Sequence, residues 1–334
     1  MNAPFFSVII PTFNRREGAR RCLESLSCPP APVWTMEVIV AVDGSTDGTA
    51  EYIRSLTLPF PVTVLELDNG GAGRARNAAV ERAGGKYLAF TEDDVTPDPS
   101  WLARAFAVLQ NDTCDVLEGR TAYPGGDAAV RRFEKDIQAS FIPCNLFIRR
   151  DLFNTVGGYS PDYFDRKSRV YFREDSDLGF RLRDTGARIV VDPAIVVIHP
   201  LQFQTMAECF RHARRYRFDA LLYKRHPRLY RQFIEVKSFG ALKLHRPQHY
   251  VALLDVLGLT AVIAGLAGGM PPLCVCGLCI VALCGVLFRY KYQGAEWWRF
   301  EKINETLGFC VLPFVYLGAL VKGCIRYKAL GVLL

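Results

Sequence analysis

Over its first 200 residues the chain alternates short apolar, β-branched runs with amphipathic stretches. Phe6 to Ile10 is apolar apart from Ser7 and closes on Pro11, which predicts a strand, while Arg15 to Leu26, with Leu23 and Leu26 on one side, predicts a helix. Met36 to Val42 predicts a second strand. It ends in Asp43-Gly44-Ser45-Thr46-Asp47-Gly48-Thr49, which serves as both a turn and a helix start, because Asp, Ser and Thr side chains accept from the unpaired N–H groups of a first turn. A helix through Leu56, a strand over Val62 to Leu67, a helix over Gly73 to Ala83 and a strand over Tyr87 to Phe90 follow. This alternation predicts a doubly wound α/β sheet. Such sheets bind ligands beyond the carboxyl ends of their strands, where Pro11, Asp43 and Asp94 are all expected to gather.

The pattern changes in the last third. Val251 to Gly269 is nineteen residues with one charge, Asp255; Pro271 to Phe288 is eighteen with none, and Thr306 to Val321 is sixteen with none. About 20 apolar residues cross a bilayer, and a shorter stretch tilts, thins the bilayer or re-enters. The expected organisation is therefore a soluble α/β domain over 1–200, a connecting segment over 201–250, and two to three membrane helices over 251–334. Phe5 to Ile10 is too short for a signal sequence and lacks a basic flank. The expectation is a multi-pass protein of the cytoplasmic membrane with its first 200 residues in the cytosol. Two spans return Arg289, Lys291, Arg299 and Lys302 to the cytosol, as the positive-inside rule asks. A third would export Lys322, Arg326 and Lys328 against that rule, so either the last stretch is re-entrant or interfacial or the bias is overridden. Asp255 is expected to face protein or the interface rather than lipid.

Composition sharpens this division. Half of the residues are apolar, which excludes a disordered or collagen-like chain. The net charge of +7 sits in one place: residues 201–250 hold eleven Lys/Arg against three acids, a net +8, and the rest of the chain sums to −1. Basic residues among Phe203, Phe210, Tyr216, Phe218, Tyr223 and Tyr230 fit either nucleic acid or amphipathic helices on an anionic leaflet. The apolar stretches that follow favour an anionic membrane as partner, and no nucleic acid. Of eleven cysteines, six lie in or beside those stretches, and the others (Cys22, Cys28, Cys114, Cys144, Cys209) form no C-x-x-C pair. This usage fits small helix-packing residues in a reduced compartment.

Two acidic clusters carry the candidate chemistry. Glu92-Asp93-Asp94 follows a strand, and three adjacent acids require water, a basic partner or a cation. Glu92 and Asp94 point the same way on an extended chain, and oxygen donors of this type suit Mg²⁺ or Mn²⁺. An acidic turn capping a helix near Pro97-Asp98-Pro99 would look the same. Glu174-Asp175-Ser176-Asp177 leads into a helical stretch, where the acids either complement the positive N-terminus or supply a general base. His199, ending Ile195 to Ile198, is either a strand-end surface histidine or a third metal ligand.

In order and spacing, these motifs over roughly residues 5–230 resemble the family 2 glycosyltransferases, whose catalytic domain has the GT-A fold. The resemblance rests on Ser7-Val8-Ile9-Ile10-Pro11-Thr12-Phe13-Asn14, Val42 to Thr49, Ala75-Arg76-Asn77, Glu92-Asp93-Asp94, Cys144 to Arg150 with Val156-Gly157-Gly158-Tyr159, and Glu174 to Leu178 with Arg181-Leu182. Arg215-Tyr216-Arg217 and Leu221 to Pro227 resemble the basic tail of membrane-associated members. By that resemblance Pro11, Phe13, Asp43, Arg76 and Asp93 contact a nucleotide-sugar donor, with Asp43 accepting from the base and Arg76 facing base or phosphate. Asp94 with Glu92 takes the DxD position for a divalent cation, Mg²⁺ or Mn²⁺, and His199 matches a position that completes the metal site in related enzymes. Asp175, with Glu174, falls on the ED motif of the catalytic base. Glu92 in place of the first Asp and Val42-Asp43 in place of paired acids depart from the usual pattern. The resemblance thus implies an inverting, metal-dependent transferase acting on a glycan or lipid-linked acceptor in polysaccharide or glycolipid synthesis. The alternative is a non-catalytic membrane scaffold on a degenerate transferase domain, against which three carboxylates at strand ends stand. A nucleotidyltransferase ranks third, since the Gly-rich, Lys-bearing loop such enzymes often use is missing.

Overall fold

In the computed structural model of the chain, the first four apolar runs form parallel strands β1 (Phe6–Thr12), β2 (Met36–Asp43), β3 (Val62–Leu67) and β4 (Tyr87–Phe90), ordered β3-β2-β1-β4. Residues 3–26, 34–124, 141–200, 205–234, 236–239, 242–245, 247–293 and 303–332 are described. Alternation along the strands divides the core. Val8, Ile10, Val38 and Val40 pack with α1 (Arg16–Ser25) and α2 (Thr49–Ser55) on one face, and Ile9, Ile39, Leu88 and Phe90 pack with α3 (Ala72–Val80) on the other.

Beyond β4 the sheet turns mixed. The chain continues through β5 (Thr96–Pro97), α4 (Trp101–Leu109), β6 (Val116–Ala122), β7 (Leu146–Arg149), α5 (Arg150–Thr155), a small hairpin of β8 (Phe164–Asp165) and β9 (Val170–Tyr171), α6 (Glu174–Asp184) and β10 (Ile189–Ile198). The full order is β3-β2-β1-β4-β7-β6-β10-β5, with β7 antiparallel to both of its neighbours. Asn145 knits this half together from a buried position. Its Oδ1 accepts from Trp101 Nε1 at 2.8 Å, and its Nδ2 donates to the carbonyls of Ile195 at 3.0 Å and Arg120 at 3.1 Å. A side chain at Gly119 would come within 2.3 Å of that amide, so only glycine lets the two strands close on it. These elements form one contact unit, Met1–Pro124 with Gln138–Leu201.

The second unit, Gly125–Ile137 with Gln202–Leu334, is helical over most of its described length. Thr205 and Glu208 form a capping box that starts α7 (Met206–Arg215). A short 3₁₀ turn (Tyr216–Phe218), α8 (Asp219–Arg225), α9 (Pro227–Phe233) and the strands β11 (Val236–Phe239) and β12 (Leu242–His245) follow. Then come α10 (Pro247–Ala267), α11 (Pro271–Gln293) and α12 (Ile303–Tyr327), three helices long and apolar enough to cross a membrane. Asp255 is fully buried against protein. Its two carboxylate oxygens have no hydrogen-bond partner among the described residues. The ten described cysteines are free thiols; Cys28, Phe203, Arg299 and Lys302 lie outside the described residues.

Candidate active site

The strand ends of the first unit are tied to one another by side chains that follow them. Past Thr12, Asn14 takes a left-handed conformation (φ 51°), which Asn adopts more readily than other residues with a side chain. Its N–H donates to Ser45 Oγ at 2.9 Å and its Oδ1 accepts from Thr46 N at 2.8 Å, clasping the loops after β1 and β2. Pro11 is buried within β1, whereas Phe13 is exposed, its ring 6.0 Å from the Arg169 guanidinium. Asp43 ends β2 in a buried position, its carboxylate accepting from Gly70 N and Gly71 N, both at 2.8 Å. Its partners thus belong to the turn between β3 and α3 rather than to the acidic cluster.

That cluster follows β4, and two arginines meet it. Arg76, 2% exposed on α3, donates to Glu92 Oε1 at 2.7 Å. Arg15, at the start of α1, places one Nη on Asp93 at 3.2 Å and on Asp94. The α1 backbone lies close by: a Cβ on Gly18 would stand 2.7 Å from the Asp93 carbonyl oxygen. Burial pushes the Asp93 carboxyl up to about 6, opposed by Arg15 and reinforced by Asp94 and Glu92.

His199 directly follows β10, its ring fixed by a 2.8 Å contact between Nδ1 and the Pro200 carbonyl. Nε2 faces Asp94 Oδ1 at 3.8 Å, and donor atoms of Glu92, Asp94 and His199 all lie within 4.8 Å of one another. Donors on one octahedral ion at about 2.1 Å stand about 3.0 to 4.2 Å apart, so a small inward shift would bring the three onto a common cation.

The second acidic motif opens α6, after Arg173 in a left-handed conformation (φ 74°). Its members differ in surroundings. Asp177 is buried on Tyr163 Oη at 3.1 Å and Arg181 Nη2 at 2.8 Å, an arrangement that holds the helix in place. Glu174 is buried with its Cγ near Gly73, where a Cβ would be 3.7 Å away. Asp175 is partly exposed, its Oδ1 accepting from Ser176 N at 2.7 Å.

Tyr159 links the two motifs. Asn77 fixes its backbone in both directions, donating to its carbonyl at 2.8 Å and accepting from its N–H at 2.9 Å. The Arg76 guanidinium lies 5.4 Å from its ring centre. Burial pushes its hydroxyl pKa up, Arg76 opposes, and the charges of Asp175, Glu174 and Glu92 add to the rise. Carboxylates some eighty residues apart therefore act on one buried phenol. Sequence reasoning gives no site role to Arg15 or Gly18, and Tyr159 enters there only as the end of the Val156-Gly157-Gly158-Tyr159 motif. The need of three adjacent acids for a basic partner was a signal for an arginine, though not for which one.

A mixed sheet of this order, with acids and a histidine beyond its strand ends, defines a GT-A glycosyltransferase domain. Residues 7–176, just over half of the chain, match Glycosyl transferase family 2, and the chain belongs to that family. Among curated relatives it is similar to glycosyltransferase AglE of Haloferax volcanii, 28% identical over 59% of this chain and 67% of that one. It is 27% identical to the succinoglycan biosynthesis protein ExoO of Rhizobium meliloti over 72% of this chain and 76% of that one. The uncharacterized glycosyltransferase YibD of Escherichia coli is 37% identical over 34% of this chain, and the match spans only about a third of its length. Among solved structures, mannosyltransferase PcManGT from Pyrobaculum calidifontis, in complex with GDP-Man and Mn²⁺, superposes with a TM-score of 0.56 at 18% identity, over 97% of this chain and 88% of that one. S. aureus TarS 1-349 gives 0.50 at 16% identity, over 94% and 91%. At these identities the structures speak to fold alone.

Proposed function

We propose that the chain is a membrane-anchored, inverting glycosyltransferase that moves a sugar from a nucleoside-diphosphate donor to an acceptor hydroxyl at the cytosolic membrane face, in polysaccharide or glycolipid synthesis. The observation that carries this reading is the convergence of Glu92, Asp94 and His199 within 4.8 Å at the strand ends of a family 2 chain. Two carboxylates and one imidazole nitrogen fit Mn²⁺ better than Mg²⁺, which prefers oxygen alone. The cation, when bound, would neutralise charge on the departing diphosphate.

The chain's own residues do the rest. Phe13 is exposed beside Pro11 to meet the nucleotide, and Asp43 keeps lone pairs beyond those taken by Gly70 and Gly71 for a donor group on the base. Asp93 orders Arg15 at the edge of the cluster. Arg76 works through Glu92 and Tyr159, holding the acidic motif in place. Asp175, partly exposed in the first turn of α6, takes the acceptor hydroxyl's proton as that oxygen bonds to the anomeric carbon. The bond to the diphosphate oxygen breaks on the opposite face, releasing the nucleoside diphosphate and inverting the anomeric centre. Glu174, buried beside it, positions this turn. The acceptor is a glycan or a lipid-linked glycan.

A panel of UDP-, GDP- and dTDP-sugars with Mn²⁺ or Mg²⁺ tests the reading. Slow release of one nucleoside diphosphate is expected, abolished by EDTA and by Asp94→Ala. Silence across the panel, with no nucleotide binding, would contradict it.

A further inference from the structure

We infer that α12, although long and apolar enough to cross a membrane, lies in the plane of an anionic lipid surface, and that only α10 and α11 cross. This rests on the membrane-anchoring part of the proposed function and not on its chemistry.

The α10–α11 hairpin has the packing of a spanning pair. A Cβ on Gly277 would lie 2.5 Å from the Gly258 carbonyl, and one on Gly265 would lie 2.6 Å from Cys274 Sγ, so small residues let the backbones close. Leu257, Ile263, Leu266, Val275, Leu278 and Leu283 turn outward.

Helix α12 is packed differently. It lies alongside α7 and the 3₁₀ turn that follows: Met206 fills the space at Gly308, the rings of Tyr216 and Tyr316 are 4.6 Å apart, and a Cβ on Gly323 would stand 2.2 Å from the Arg217 carbonyl. Gly308 to Gly323 is about 22 Å of helix, most of the thickness of a hydrocarbon core. If α12 crossed the bilayer, α7 would be drawn in beside it. Glu208, Arg211, His212, Arg214, Arg215 and Arg217 would then enter hydrocarbon, which tolerates such groups only rarely.

A second observation agrees. α12 meets the hairpin over the part nearer to where α10 begins and α11 finishes: a Cβ on Gly285 would stand 2.7 Å from Cys310 Sγ, Tyr316 Oη is 2.9 Å from His249 Nδ1, its ring is 6.0 Å from that of Phe288, and the Arg289 guanidinium is 5.8 Å from the ring of Phe309. The middle of α12 therefore sits at the mouth of the hairpin rather than halfway down it. Its outward stripe is Leu307, Val311, Val321 and Ile325, with exposed Lys322, Arg326 and Lys328 at the C-terminal end. An apolar stripe with basic residues at its end is the chemistry of a helix seated among anionic headgroups. Keeping those three cations on the side of the membrane that holds Arg217 and α8 also removes the conflict with the positive-inside rule.

The full chain, with a single protease site placed at the N-terminus, at Gly269 or after Leu334, is tested in right-side-out and inside-out vesicles. Cleavage of the N- and C-terminal sites in the same preparation, and of the Gly269 site only in the other, is expected. Cutting the C-terminal site together with the Gly269 site would overturn the inference, as would cutting all three from one side. If the Gly269 insertion lowers the membrane-inserted yield, labelling of M270C by an impermeant maleimide, read as the increment over wild type, gives the same answer. A chain absent from the membrane fraction would instead sink the anchoring reading, and no outcome here bears on glycosyl transfer.

Discussion

Replacing Arg76 tests the packing of the two acidic motifs directly. The guanidinium is 2% exposed and meets Glu92, whose side chain is 29% exposed, at 2.7 Å. Removing one partner of a buried ion pair costs about 3–5 kcal/mol because the other charge is left uncompensated. Glu92 keeps some contact with water, which lowers the expected cost of Arg76→Leu to about 2–3 kcal/mol. For a unit of this size that is a fall of roughly 5–10 °C in the Tm of its unfolding transition. The informative comparison is the double-mutant cycle with Glu92→Gln. Neutralising Glu92 removes the orphaned charge, so Arg76→Leu/Glu92→Gln should be more stable than the sum of the single losses by at least about 1 kcal/mol. Differential scanning fluorimetry of detergent-solubilised protein in EDTA reads this as a Tm above the one obtained by adding the two single-variant shifts. Additive losses would refute the idea that Arg76 holds the acidic motif through Glu92.

Further expectations concern pH, close packing and the buried acid of α10. In metal-free protein the Asp93 carboxyl, raised to about 6 against an ordinary value of 3.8, binds its proton more tightly when folded. Its contribution is therefore present at about pH 4 and is lost as pH rises through about 6, by up to about 3 kcal/mol. Denaturant titrations from pH 4.5 to 8 should show this trend flattened in Asp93→Asn, and an unchanged slope would exclude the assignment. Gly18→Ala sets a methyl 2.7 Å from the Asp93 carbonyl and should cost about 1–3 kcal/mol by overpacking; an unaltered Tm would show that α1 yields freely. Because both Asp255 oxygens are buried with no hydrogen-bond partner among the described residues, Asp255→Leu should keep or raise thermal stability in detergent, and aggregation of the variant would reveal an essential partner.

How much of this could be seen in the sequence depends on how strongly each residue is constrained locally. The strands β1, β2 and β4 are buried on both faces, β3 is half-buried at the edge of the sheet, and Asp43 and the acids after Thr91 close β2 and β4, so composition and punctuation mark them. The antiparallel half has no such marks. β5 is two residues long, β7 is four, and β6 runs through Glu118, Gly119 and Arg120, whose places are set by Asn145 and by partners far along the chain. The carboxylates were legible because unpaired acids at strand ends are anomalous. Arg15 was not, since an arginine opening a helix is ordinary until tertiary structure lays it across Asp93 and Asp94. In the same way the apolarity of α12 was plain, but its partnership with α7 depends on Gly308 and Gly323 meeting particular neighbours.

In the proposed reaction Asp175 is the base of glycosyl transfer. Purified Asp175→Asn, assayed beside wild type with the sugar nucleotide that the panel identifies, should bind that donor with unchanged affinity and lose turnover by about 10³-fold or more. Wild-type-like turnover with intact donor binding would contradict it.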